Sequence, residues 1–152
     1  MPHEFRDYID KLSLSDESFS ILHINARSLN NKMEEFGNFV RGLQFKFTTI
    51  VVTETWANNI NESNFVISGY SYCGKPRIGS RGGGVAIYVK DGLDYTIRSD
   101  LDALVFDACE LIIIQLSNDN IVRNIVAVYR PPGSNLIKFN ASYCKLLDKL
   151  KC

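Results

Sequence analysis

The sequence predicts an α/β fold built on a mixed sheet, and three observations carry that expectation. An apolar run, Ile50-Val51-Val52, ends abruptly in Thr53-Glu54-Thr55-Trp56, as an interior strand covered on both faces does. A strand-like segment and an amphipathic helical segment precede it. Short apolar runs separated by turn residues follow it, the pattern of antiparallel neighbours.

Length and charge bound what the chain can be. With 152 residues, 45% of them hydrophobic, it is long enough for one domain with a real core. Seventeen Lys and Arg balance 17 Asp and Glu, so the chain is not a polycation and nucleic-acid contact would need a local patch. The four cysteines, Cys73, Cys109, Cys144 and Cys152, are far apart and show no zinc spacing. Two lie in apolar stretches and read as reduced core residues of an intracellular protein, with no disulfide-linked partner expected. No apolar run reaches bilayer length and the N-terminus lacks a signal-peptide core, so no membrane association is expected.

Taken in order, residues 1–18 are polar and weakly periodic and read as a lead-in segment without chemistry, leaving residues 19–152 as the domain. Residues 19–25, Phe-Ser-Ile-Leu-His-Ile-Asn, have strand composition. Ser28 is a suitable N-cap for the helix that Leu29, Met33, Phe36, Val40 and Leu43 predict by their spacing, ending near Gly42. The strand into Glu54 completes a strand–helix–strand unit over residues 19–54, which favours a parallel pair. Asn25 and Glu54 then fall at the same sheet edge. Ligand sites of open α/β folds collect there.

Residues 56–68 are loop-like and rich in Asn. Strands are expected at 70–73, 84–89, 95–98, 106–116 and 121–129, with turns at Asp91-Gly92 and at residues 118–120. Pro131-Pro132 ends the last strand. A closing helix has Leu136, Tyr143, Leu147 and Leu150 along one face.

Glu54 and Asn25 form the sharpest pair. A hard cation such as magnesium takes oxygen ligands, often one or two carboxylates completed by waters and phosphate oxygens. The plain alternative is a solvated strand-end Glu and a turn-forming Asn. His23, on the same strand face as Asn25, reads as a hydrogen-bonded core residue rather than a base. His3 reads as exposed and idle. Tyr129 ends a strand before a rigid turn, which makes its hydroxyl either a phosphate donor or a solvated rim group. Glu110 lies in so apolar a stretch that it calls for a cationic partner, Arg81 or Arg123. Lys75, Arg77 and Arg81, spread along a stretch with four glycines, form a candidate nucleic-acid patch. An ordinary solvated hairpin is the alternative.

Six blocks stand in a recognisable order: Asn25-Ala26-Arg27-Ser28-Leu29, Thr53-Glu54-Thr55-Trp56, Ser68-Gly69-Tyr70, Arg81-Gly82-Gly83-Gly84-Val85-Ala86-Ile87-Tyr88-Val89, Cys109-Glu110 and Val128-Tyr129-Arg130-Pro131-Pro132. Together they resemble the endonuclease/exonuclease/phosphatase superfamily, and within it the apurinic-type endonuclease domain of non-LTR (LINE-type) retrotransposons. The resemblance implies a magnesium-dependent phosphodiesterase that nicks DNA in the nucleus by activating a water against a phosphate. It makes Glu54 the metal ligand, Asn25 its companion in the metal and phosphate site, and Tyr129 a phosphate-orienting hydroxyl, with Arg81 and its glycines in a structural hairpin.

The family pattern also contains an Asp-x-Asn strand and a Ser-Asp-His motif. No Asp-x-Asn occurs after Tyr129 and no histidine after His23. The expectation is therefore the first half of a four-layer α/β sandwich, a mixed sheet with flanking helices and the second sheet largely missing, inactive by itself. Its inner sheet face would be open to association and its solubility marginal. The rival readings are a non-catalytic nucleic-acid-binding or interaction remnant using residues 75–90, and a related phosphodiesterase acting on phosphoinositides or sphingomyelin.

Overall fold

The computed structural model of the chain describes residues 3–12, 14–15, 18–57, 62–77, 79, 82–104, 109–118 and 121–151. Its first sheet starts from the predicted unit: β1 (Ile21–Asn25), helix α2 (Met33–Arg41) and β2 (Thr49–Thr53), with β1 and β2 parallel and Asn25 opposite Thr53. β3 (Tyr70–Lys75) and β4 (Val85–Lys90) complete it in the order β1-β2-β4-β3, so β4 lies antiparallel between β2 and β3. Every residue of β2 is buried, which explains why its sequence is an unbroken β-branched run rather than an alternating one. Each fully buried Val or Ile contributes about 2 kcal/mol.

The second sheet, β5 (Asp94–Ile97), β6 (Glu110–Asn118) and β7 (Ile121–Tyr129), is an antiparallel meander. β6 alternates strictly. Ile112, Ile114 and Leu116 pack with Ile125 and Ala127 against Val51, Val85, Ile87 and Val89 of the first sheet. Leu111 and Ile113 face α3 (Leu136–Leu150) through Leu146, Phe139 and Tyr143. On the other side Phe36, Phe39 and Val40 of α2 cover Leu22, Ile50, Val52 and Tyr88. Helices, mixed sheet, antiparallel sheet and helix form the layers of an α/β sandwich.

Several local expectations change. The inner face expected to lie bare is covered beneath β2 and β4 by the three strands of the second sheet. What stays exposed is the strip of Ile21, His23 and Asn25 on β1, which β6 and β7 do not reach. His23 is therefore exposed, not core, with its Nε2 3.4 Å from the Thr53 hydroxyl. The lead-in segment contains α1 (His3–Lys11), whose Ile9 is buried and whose Phe5 ring lies 5.9 Å from Phe39. α2 starts four residues late. Ser28 and Leu29 give their N–H groups to the Glu54 and Thr55 carbonyls, at 2.9 and 2.8 Å, so neither joins a helix, and Ser28 has φ 82. On α3 the buried face runs through 139, 143, 146 and 150, while Leu136 and Leu147 are exposed. Cys73 and Cys109 are buried, as expected of core residues, and Cys144 is exposed.

Candidate active site

The parallel pairing of β1 with β2 delivers Asn25 and Glu54 to one sheet edge, and the side chains meet: Asn25 Nδ2 donates to Glu54 Oε1 at 2.8 Å. Asn25 Oδ1 accepts the N–H of Arg27 at 3.3 Å. The loops beyond both strands are in left-handed conformations that non-glycine residues seldom adopt, at Arg27 (φ 43), Ser28 (φ 82), Glu54 (φ 54) and Trp56 (φ 52). A backbone ladder holds them there. The Ala26 N–H donates to the Thr53 carbonyl at 2.9 Å, and the Trp56 N–H to that of Gly83 at 2.8 Å. Asn30 Nδ2 donates to the Trp56 carbonyl at 3.0 Å.

The second sheet brings Tyr129, the last residue of β7, to the same place. Its hydroxyl lies close enough to the Glu54 carboxylate to feel its charge. Burial pushes the phenol up from its ordinary range, and the nearby Glu54 charge pushes the same way, against a smaller opposing pull from Arg77. At neutral pH the hydroxyl keeps its proton and remains a donor. Three strands that are remote in sequence thus converge on one carboxylate.

Glu110, opposite Tyr129 in the β6–β7 ladder, finds a partner that sequence reasoning missed. Arg77 Nε donates to Oε1 and the Gly84 N–H to Oε2, and the Arg77 guanidinium lies 5.8 Å from the centre of the Tyr129 ring. Of the cations expected to serve Glu110, Arg123 instead sits 4.8 Å over the Phe19 ring, and Arg81 lies outside the described residues. Pairing was legible from the apolar setting of Glu110; the choice of Arg77 depends on the crossing of two sheets, which no local pattern encodes. Of the candidate nucleic-acid patch, Lys75 is paired with Asp102 at 2.6 Å and Arg77 with Glu110, so both charges are partly neutralised within the chain. Arg81, its third member, is again outside the described residues.

The donor set fits a hard cation. Glu54 is half-buried at an open strand edge beside an amide and a hydroxyl. Among the described residues no three His, Cys, Asp or Glu side chains cluster as a self-sufficient metal cage. One carboxylate with waters and substrate oxygens is what magnesium accepts. No helix among the described residues is long and apolar enough to cross a membrane.

A mixed sheet packed on an antiparallel one, with helices outside and polar strand ends gathered at one rim, is the α/β-sandwich fold that AP endonuclease structures share. Solved structures of that type superpose on the chain. The AP endonuclease LMAP from Leishmania major matches with a TM-score of 0.65 at 20% identity, covering 87% of this chain and 48% of the other. The endonuclease domain of TRAS1, a telomere-specific non-LTR retrotransposon, matches with a TM-score of 0.59 at 13% identity, covering 88% of this chain and 54% of the other. The chain spans about half the length of these structures. No family model and no curated protein matches the sequence.

Proposed function

We propose that the chain carries part of a magnesium-dependent phosphodiesterase site of the retrotransposon endonuclease kind, which nicks DNA in the nucleus. The observation that supports this best is the convergence of Asn25, Glu54 and Tyr129 at one rim. Glu54 is the residue that holds the cation, and Asn25 orients its carboxylate. Tyr129 is the donor for a phosphate oxygen. When bound, magnesium supplies charge neutralisation at the phosphate and leaving oxygen. A water-activating carboxylate and a second phosphate-binding group of the Asp-x-Asn and Ser-Asp-His kinds are not among these 152 residues, and we propose that this chain alone does not turn over.

Manganese binding, followed by the loss of the free-ion electron paramagnetic resonance signal, tests the site without needing turnover. The expected result is weak binding that falls at least about tenfold in Glu54→Gln and less in Asn25→Ala. Equal binding by wild type and Glu54→Gln would sink the metal assignment. Magnesium-dependent plasmid nicking that disappears in Glu54→Ala would overturn the expected inactivity. DNA binding that ignores magnesium but weakens in Arg77→Ala and Arg81→Ala would replace the proposal with a purely binding role.

A further inference from the structure

We infer that Arg77 and Glu110 are positioning residues that fix the ring of Tyr129 so that its hydroxyl meets Glu54. The inference rests on the reading of Glu54 and Tyr129 as site residues, and it assigns Arg77 to the interior of the site rather than to a surface patch.

The two sheets pack through apolar side chains of β6 and β7 set against those of β2 and β4, a cluster that Tyr129 borders at this rim. Glu110 supplies a polar link. It stands directly opposite Tyr129 in the ladder, so any movement of β6 at this end carries β7 with it. One carboxylate oxygen takes Arg77 Nε and the other takes the Gly84 N–H. The Gly84 and Gly83 carbonyls in turn accept the N–H groups of Thr55, at 3.3 Å, and Trp56, at 2.8 Å, the two residues that follow Glu54. A single carboxylate therefore joins the strand end bearing Tyr129 to the loop bearing Glu54.

Arg77 closes the arrangement from the side. Its guanidinium lies 5.8 Å from the centre of the Tyr129 ring and occupies the place where a side chain at residue 83 would begin: a Cβ on Gly83 would lie 2.5 Å from Cζ, Nε and Nη2. Gly83, with φ 68, is favoured by its backbone, and any side chain there would displace the Arg77 guanidinium. A planar guanidinium can donate along its edge to a carboxylate while its face lies against a ring, and a lysine ammonium cannot do both. A plain ion pair between sheets would need neither the ring contact nor the cleared space at Gly83.

The test reads the contact between Tyr129 and Glu54 without metal or DNA. In the full chain labelled with 13C at tyrosine Cζ, Tyr129→Phe assigns the resonance, and Glu54→Gln at pH 7 shifts it by removing the charged acceptor. If Arg77 positions the ring, that shift shrinks by at least half in an Arg77→Lys background, which keeps the charge but loses the planar guanidinium and its Nε donor. Glu110→Gln, which keeps an acceptor for Gly84, is expected to act in the same direction. An undiminished shift in either folded variant overturns the proposal. The unsubstituted chain gives an independent reading: a slowly exchanging Arg77 Nε–H with cross-peaks to the Tyr129 ring is expected, and a freely exchanging Arg77 side chain overturns the proposal even if neither variant folds. Loss of manganese binding with the positioning signals intact would separate failure of the proposed function from failure of this inference.

Discussion

The two ends of the β1–β2 pair are built on different principles. At the entry end, Ser20 and Thr48 exchange backbone and hydroxyl hydrogen bonds, with the Ser20 N–H 2.9 Å from Thr48 Oγ1 and the Thr48 N–H 3.1 Å from Ser20 Oγ. The Tyr70 hydroxyl caps the neighbouring Phe47 carbonyl at 3.1 Å. At the exit end, a few residues along the same strands, every non-glycine residue with positive φ among the described residues is found: Arg27, Ser28, Glu54 and Trp56. Neutral groups satisfied locally hold one end. Charged groups on a strained backbone, over-determined by a ladder, make up the other. Strain gathered beside the Asn25 amide and the Glu54 carboxylate is the kind that preorganises a site.

The largest test of this contrast is alkaline unfolding, which should be governed by the core and the entry end. Burial pushes the Tyr70 phenol from 10.0 to about 12, and the Cys73 and Cys109 thiols from 9.0 to about 11. These folded-state values lie above the unfolded ones, so the unfolded chain releases its protons first. The stabilisation is complete below pH 9 and is lost as pH rises from 9 to 12. Each group costs on the order of 2 to 3 kcal/mol when it ionises. Urea midpoints followed by circular dichroism should fall steeply across that window. A flat profile up to pH 12 would mean that these groups are not sealed from water.

A pair of glycines sharpens the comparison further. Gly84, at the exit end, and Gly92, in the turn after β4 at the entry end, have nearly the same φ, 83 and 86. A Cβ on Gly84 would lie 2.4 Å from Thr55 Oγ1, whereas one on Gly92 meets nothing within 4 Å. Gly84→Ala should therefore lose about 3 kcal/mol, combining strain with overpacking. Gly92→Ala should lose about 1 kcal/mol, from strain alone. Equal losses in chemical denaturation would show that the exit end yields as easily as a surface turn.

How much of this was legible in the sequence follows the same division. The strand–helix–strand unit could be read because its period is local: Ile50-Val51-Val52 has to be buried, and the residues from Phe36 to Leu43 have to face a core. The proximity of Asn25 and Glu54 followed from parallel pairing alone. The environment of His23 and the partner of Glu110 could not be read. Both depend on where the second sheet stops, and β7 packs on β2 while leaving β1 open. The late start of α2 was also hidden, because Ser28 has the chemistry of a cap, yet its N–H is already committed to Glu54 across the sheet. Local chemistry was overruled wherever a contact crossed between strands or between layers.

The smallest effect isolates the strain itself. Arg27 is exposed with φ 43, and its N–H is the group that holds Asn25 Oδ1. Glycine adopts this conformation freely, but it also gives the unfolded chain more freedom, and the two terms nearly offset, leaving a gain of about 0.5 kcal/mol for Arg27→Gly. If the strained loop preorganises Asn25 against Glu54, the same substitution should weaken manganese binding about twofold, because a looser backbone holds the amide less firmly. Stability and binding would then move in opposite directions, measured by urea denaturation and by ion titration of one variant. A gain in stability with unchanged binding would mean that the left-handed loop merely tolerates its strain and that the Asn25–Glu54 hydrogen bond alone sets the site.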